Sequence, residues 1–344
     1  MSHASTVKLL LKRGVLVAAA NWEAVMLQFL AETAFKLLLV IPVIGAAFLV
    51  ALLIGGSAVD LARADVQQVL TVLLAAFGEH PAMVIAYVVG LIPAVVAGSL
   101  LTFLVKGGTV ATLAGGDRQA RAVEQLPIGF TTIARASAFR LDAFMAACGR
   151  LFHRYVRLGC LLGAAYAAAA VVYATSVFWA FRAVSAAGVE AAWSVVAAVI
   201  SGTLVLVITG INLLYLLLQI AIAVEDCSVR EALRLVRAFL GAEALTVMVL
   251  FVTLLVVVGL ATAASILMMA GLGVIGFIPV LGIAVFPLQL AAWVARGLVF
   301  QFLGLAALSA YLHLYRVHRA GASRVVIPPR IESTDSTGYA DGRN

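Results

Sequence analysis

Charge is what this sequence has least of. Only 11% of its 344 residues are charged, against about 25% in soluble globular domains. That deficit, with 64% hydrophobic residues and a mean hydropathy of +1.13, excludes an ordinary water-soluble domain. Cysteine is nearly absent: Cys148, Cys160 and Cys227 are the only three. Their positions beside or on segments read below as cytoplasmic exclude a disulfide framework, and their spacing excludes a zinc site. No HExxH, Walker A or GxSxG pattern occurs, and no paired carboxylates stand on a credible loop, so nothing marks a hydrolase or nucleotide site.

What is present is long uncharged apolar segments. A helix rising about 1.5 Å per residue needs roughly 20 such residues to cross a ~30 Å hydrocarbon core with its backbone groups satisfied internally. Six stretches qualify: Leu37 to about Gly56, about Ala82 to Val105, Leu158 to Ala180, about Val195 to Val224, about Ala244 to Ala270, and a sixth ending near Tyr315. Gly271, Gly273, Gly276 and Pro279 divide the last two. None holds an Asp or Glu, which disfavours a proton-coupled transporter, a class that uses carboxylates at mid-membrane depth.

Lys and Arg set the orientation, because they are retained on the cytoplasmic side. All of them except Arg63, Arg182 and Arg296 fall before span one, between spans two and three, between four and five, or after six. Both termini are therefore expected in the cytoplasm of a bacterial cell, with the chain in the inner membrane. Topology accounts for the net charge of +7 without nucleic acid. No cleavable signal peptide is expected, since Glu23 interrupts the first apolar candidate and a full span follows directly.

The expected architecture is all-α, a polytopic membrane protein with residues 1–36 a cytoplasmic amphipathic leader, 37–320 the six-helix domain and 321–344 a disordered tail. ANWEAVMLQFLAETAFK, LDAFMAACGRLFHRYVR and VREALRLVRAFLGAE precede the odd-numbered spans, which suggests three helix-plus-hairpin repeats. In the second of these, Leu141, Met145, Cys148, Leu151, Phe152 and Tyr155 make an apolar stripe. Arg150, Arg154 and Arg157 lie opposite, placed to meet anionic headgroups from an interfacial helix. In the third, Ser228 and Glu231 fit an S-x-x-E capping box. Val229, Leu233, Val236 and Leu240 make its stripe, with Arg230, Arg234 and Arg237 turned away. On the outer side, Ser57 to Pro81 reads as a helix on the leaflet surface.

Few residues stand out as sites. Arg296 is the one charge that can fall within a span, where an arginine marks a functional site or outer vestibule by default. Trp293 three residues earlier is an interface anchor, and Gly297 to Tyr315 nearly spans alone, which together favour Arg296 at the outer rim. IGFIPVLGIAVFPLQLAAW then becomes an outer-face re-entrant or interfacial piece. Glu23, Glu32 and Lys36 read as a solvated helix face, with Glu32 and Lys36 spaced to pair. His153, His313 and His318 read as interfacial residues. Asn212 and Gln219 are the polar candidates for interhelix hydrogen bonds.

IAVEDCSVREALRLVRAFLGAEALTVMVLF, FLVKGGTVATL and ALSAYLHLYR together resemble a broad group of bacterial six-helix membrane proteins. The group includes the membrane domain attached to some glycerophosphoryl diester phosphodiesterases. The resemblance implies the fold; the catalytic domain is not in this sequence, so no catalytic residue is implied. The expected function is a non-enzymatic membrane module, without cofactor, that binds membrane lipids, another membrane protein or a second copy of itself. The alternative is a transporter or permease subunit for an anionic or lipid-like substrate.

Overall fold

A computed structural model describes residues 3–54, 81–125, 127, 129–186, 192–276 and 279–326. Among them every regular element is helical: α1 (His3–Ala20), α2 (Trp22–Ile54), α3 (Pro81–Gln119), α4 (Phe130–Arg135), α5 (Leu141–Ala186), α6 (Trp193–Glu225), α7 (Val229–Gly276) and α8 (Pro279–Val326). A 3₁₀ turn at Val123–Gln125 follows α3. Six of the helices, α2, α3, α5, α6, α7 and α8, are long and apolar enough to cross a membrane. The outer-leaflet helix expected at Ser57 to Pro81 lies outside the described residues apart from Pro81, which opens α3. The expected tail begins with the last turns of α8 and is otherwise also outside them.

The six long helices form a ring in which each packs on the next, α2 to α3, α5, α6, α7, α8 and back to α2, while α1 lies against α8. The amphipathic segments before the odd-numbered spans are not separate elements. Each runs into its span as the first half of α2, α5 or α7, and α7 carries a kink at Glu243 (φ −117°, ψ 21°). There the Thr246 hydroxyl donates to Glu243 Oε2 at 3.1 Å.

Length explains the division of labour along these helices. At about 1.5 Å per residue, α8 with its 48 residues is about 72 Å long, more than twice the ~30 Å hydrocarbon core. Burial follows the same division. The core is built from buried residues of the helices, among them Val17 of α1, Leu113 of α3, Leu151 of α5, Ile220 of α6, Val236 of α7 and Leu312 of α8, all in one half of the molecule. Tyr155, Tyr311, Tyr315 and Phe239 are its largest buried side chains. The Phe239 and Tyr315 rings meet edge-on at 5.4 Å, and the Tyr155 hydroxyl donates to the Gln219 carbonyl at 3.0 Å. In the other half Ile41, Ile92, Val171, Leu206, Leu267 and Phe286 stay exposed, an apolar girdle too wide for water to cover without aggregation. This is a multi-pass membrane protein.

Residues 1–36, expected as an amphipathic leader, form α1 and the start of α2, with Val17, Ala18 and Ala24 fully buried. The apolar run Gly297 to Tyr315 owes its character to the protein core, since Leu305, Leu308, Ala310, Leu312 and Tyr315 are buried against other helices. The re-entrant piece proposed before Arg296 is, from Pro279 onward, the continuous start of α8. The amphipathic stripes hold in part. In α5, Cys148, Leu151 and Tyr155 are buried as expected, but Phe144 and Ala147 are buried in place of Leu141 and Met145, which are exposed; in α7 Val236 is buried with Ala232 and Phe239, while Leu233 is exposed. The buried faces pack on protein rather than lipid.

Two glycines allow the close crossings this core needs. A Cβ at Gly14 of α1 would stand 2.4 Å from the Ala306 carbonyl oxygen of α8, and one at Gly108 of α3 would stand 2.6 Å from Cys148 Sγ of α5. The α1–α2 junction is held by Asn21, fully buried. Its amide donates to Val17 and Ala136 carbonyls at 2.8 and 2.9 Å and its Oδ1 accepts from Ala138 N–H at 2.8 Å. Between α6 and α7 the chain turns through Asp226 in the left-handed region (φ 49°). Ser228 Oγ then accepts from the Glu231 N–H at 3.4 Å, as the capping box requires.

Candidate functional site

Two polar clusters interrupt the apolar interior, and they differ in kind. The first is centred on Asp117 near the end of α3. Arg13 of α1 donates through Nε to Asp117 Oδ1 at 2.6 Å and through Nη2 to the Asp117 carbonyl at 2.8 Å. Arg13 Nη1 reaches Glu124 Oε2 at 2.5 Å and also the Arg121 carbonyl. From α8, His313 Nδ1 lies 3.0 Å from Asp117 Oδ1 and Arg316 Nη1 bonds Oδ2. The Arg13 and Asp117 side chains are almost wholly buried. A carboxylate at a helix C-terminus opposes the macrodipole, and these cations offset that. The cluster ties α1 to α3 and α8, and it gives His313 a buried carboxylate partner where the sequence suggested an interfacial side chain. A parallel tie joins α8 to α6, where Arg319 grips Glu225 with bonds of 2.9 and 3.3 Å.

The second cluster lines space. Between α2 and α8 lies a cleft of about 580 Å³, walled by Phe29, Glu32, Lys36, Trp293, Arg296 and Phe300. Towards the middle of the ring lies a second cavity of about 230 Å³, lined by Gln28, Lys106, Thr109, Asn212, Tyr215 and Gln219 among others. Glu32 and Gln301 line both. They are joined by a long hydrogen bond, Gln301 Nε2 to Glu32 Oε1 at 3.4 Å. Gln28 also donates to Glu32 Oε1 at 3.0 Å and accepts from Thr109 Oγ1 at 3.2 Å.

The charges in these two spaces do not balance. Lys36, Lys106 and Arg296 face a single carboxylate, Glu32, and form no ion pair among the described residues. Two of these cations rest on aromatic faces instead: Lys106 Nζ lies 5.4 Å from the Tyr215 ring centroid and the Arg296 guanidinium 5.8 Å from that of Phe300. Such contacts retain only a fraction of the stabilisation an anion would supply. The geometry therefore provides an anion-binding surface with aromatic walls.

Arg296, singled out in the sequence, is thus brought together with Glu32 and Lys36 across α2 and α8. Its expected place at the outer rim and the cytoplasmic place expected for Lys36 cannot both hold, because the two line one cleft. Asn212 and Gln219 do face other helices. Asn212 Oδ1 accepts from the Tyr166 hydroxyl at 2.5 Å, while the Gln219 amide nitrogen is buried without a hydrogen-bond partner. Lys106 was legible only as topology-setting charge; its neighbours in the cavity come from α2, α6 and α8.

The six arginines expected to contact lipid remain on the outside of the packed half. Arg154 pairs with Asp226. Arg150, Arg157, Arg230, Arg234 and Arg237 are exposed and form no ion pair among the described residues. Cys148, Cys160 and Cys227 are unpaired, and burial pushes the Cys227 thiol above its ordinary range. No group of three or more His, Cys, Asp or Glu among the described residues is placed to hold a metal ion. Comparison with family models, with curated proteins and with solved structures finds no match to this chain.

Proposed function

We propose that this protein is a non-enzymatic lipid-binding module of the bacterial inner membrane, with both termini in the cytoplasm, and that the α2–α8 cleft receives the headgroup of an anionic phospholipid. The observation that carries this reading is the excess of Lys36 and Arg296 over Glu32 in a cleft with aromatic walls, with Lys106 in the cavity behind it.

The level of the cleft supports a lipid rather than a deep soluble substrate. Lys36, Lys106, Arg157, Glu243 and Arg296 each stand where an uncharged stretch of their helix begins or ends: Leu37 to Ile54, Pro81 to Val105, Leu158 to Phe181, Ala244 to Gly276 and Pro279 to Ala295. Leu37 to Ile54 is 18 residues, about 27 Å of helix, close to the hydrocarbon thickness. A bilayer core set on these stretches puts the five charges together at the inner headgroup level. The buried core with α1 then projects into the cytoplasm, and the exposed arginines of α5 and α7 lie below the membrane surface.

Purified full-length protein in nanodiscs of graded acidic-lipid content tests the reading. Acidic lipid is expected to be retained over phosphatidylcholine. At about 1 kcal/mol per cation near the surface, Lys36→Gln with Arg296→Gln weakens that preference roughly thirtyfold. Equal retention of acidic and neutral lipid by the native protein refutes it. The shared wall between cleft and inner cavity favours, as a second reading, a permease for a lipid-like anion. Transbilayer movement of labelled acidic lipid in proteoliposomes, lost in the same double variant, would select that reading.

A further inference from the structure

We infer that the cleft between α2 and α8 selects a doubly charged headgroup, a terminal phosphate monoester on an apolar chain, over headgroups that carry a single negative charge. The inference rests on the proposed function and adds the charge state of the headgroup.

The placement of charge on the two spaces carries it. Lys36 and Arg296 line the cleft alone, Lys106 lines the inner cavity alone, and Glu32 lines both. Three cations against one carboxylate leave two positive charges over. Assigned to Lys106, the other charged residue of the inner cavity, Glu32 leaves both of them in the cleft. Lys36 and Arg296 are exposed there on two different helices. Like charges on one cleft repel; a single negative charge answers one of them, and a dianion answers both.

Glu32 also sets how far an anion travels. Its Oε1 accepts from Gln28 Nε2 at 3.0 Å and from Gln301 Nε2 at 3.4 Å, which fixes the carboxylate on the wall that the cleft shares with the inner cavity. A negative wall there stops the headgroup beside Lys36 and Arg296 and keeps it from Lys106.

Headgroup chemistry then narrows the choice. Carboxylates, sulfate esters and phosphate diesters carry one charge each. A phosphate monoester loses a second proton near about pH 6 and then bears close to two charges on three acceptor oxygens. Those oxygens suit a guanidinium, which pairs with phosphate through a two-bond fork, and an ammonium, which binds it as a point charge. Phe29, Trp293 and Phe300 form the apolar part of the same walls, where the chain next to the phosphate is shielded from water. A free phosphate ion has the same charge but leaves these three rings unused.

Monohexadecyl phosphate, its methyl ester and its choline ester share one chain and one phosphate, and carry two, one and no net negative charges at about pH 8. The test offers them in equal amounts to the full-length protein in mild detergent, and mass spectrometry of the lipid retained after gel filtration reads the bound ratio. The monoester is expected to exceed the methyl ester about tenfold. That ratio should fall towards one at about pH 5, where the monoester keeps its second proton. Glu32, Lys36, Lys106, Tyr215 and Arg296 are the titratable groups on the two spaces among the described residues; the methyl ester meets the same groups, so the fall reads the ligand's own ionisation. Lys36→Gln and Arg296→Gln should each cut the ratio to about threefold. Glu32→Gln, which keeps the shape and the Oε1 acceptor, should raise retention of the monoester, a gain that misfolding does not produce. A native ratio near one at about pH 8, a ratio unmoved by pH, or one unmoved in both cation variants overturns this inference, and the proposed function stands as long as the methyl ester is retained over the choline ester. Equal retention of all three esters overturns both. Excess inorganic phosphate separates the sources: resistance of the bound monoester assigns a membrane ligand, and full displacement assigns a free phosphate of the same charge.

Discussion

Replacing Asp117 by asparagine keeps the shape of the buried cluster and removes the charge at its centre. Arg13, with its side chain 4% exposed, and Arg316 would then face a neutral amide, with only Glu124 left to answer two guanidinium groups. Breaking a buried ion pair by removing one partner costs about 3–5 kcal/mol, because the remaining charge is stranded away from water. The cost falls on α1, which Arg13 ties to α3 and α8. If α1 opens as a local unit, its opening constant rises roughly a hundredfold to several thousandfold at 1.4 kcal/mol per decade. Hydrogen exchange of peptides covering His3–Ala20, compared with peptides from the outer half of α5, reads this directly in detergent or nanodiscs. Arg13→Met should accelerate the same peptides. The double variant should fall short of the summed single effects by about 2 kcal/mol, because the two groups share one interaction. Exchange in Asp117→Asn within about threefold of the native rate, or strict additivity of the pair, would refute the assignment of this cluster as the tie that holds α1.

Two further substitutions probe the packing and the α6–α7 turn. Gly108→Ala places a Cβ against Cys148 Sγ and the Phe144 ring at 2.6 and 2.8 Å, and overpacking of this kind costs about 1–3 kcal/mol; thermal unfolding should drop accordingly, with Gly210→Ala, which meets open space, as the unaffected control. Asp226 sits in the left-handed region (φ 49°), so Asp226→Val should destabilise by about 1–2 kcal/mol, whereas Asp226→Gly should be nearly neutral, trading an exposed ion pair with Arg154 for relief of strain.

The helical, membrane-spanning character was legible because it depends on local quantities: the length of uncharged runs, the scarcity of charge, and the glycine and proline that separate α7 from α8. The capping residue Ser228 was equally local, since its bond to the Glu231 N–H spans one turn. What escaped was anything needing two distant segments. Asp117 carries no motif in the sequence, and its partners lie 104, 196 and 199 positions away in Arg13, His313 and Arg316. Arg296 stood out by composition alone, but its cleft with Lys36 exists only because α2 and α8 close the ring.

The run from Gly297 to Tyr315 shows the limit most sharply. An apolar helix segment reads the same whether lipid or protein covers it, because hydropathy measures only the aversion to water. Sequence alone determined that the chain is a bundle of long apolar helices, because backbone satisfaction and side-chain transfer in a bilayer leave no other arrangement for such runs. Tertiary structure alone decided which halves are packed and which stand open to lipid, and where the unmatched charges meet, because long-range packing sets which faces of different helices share a space.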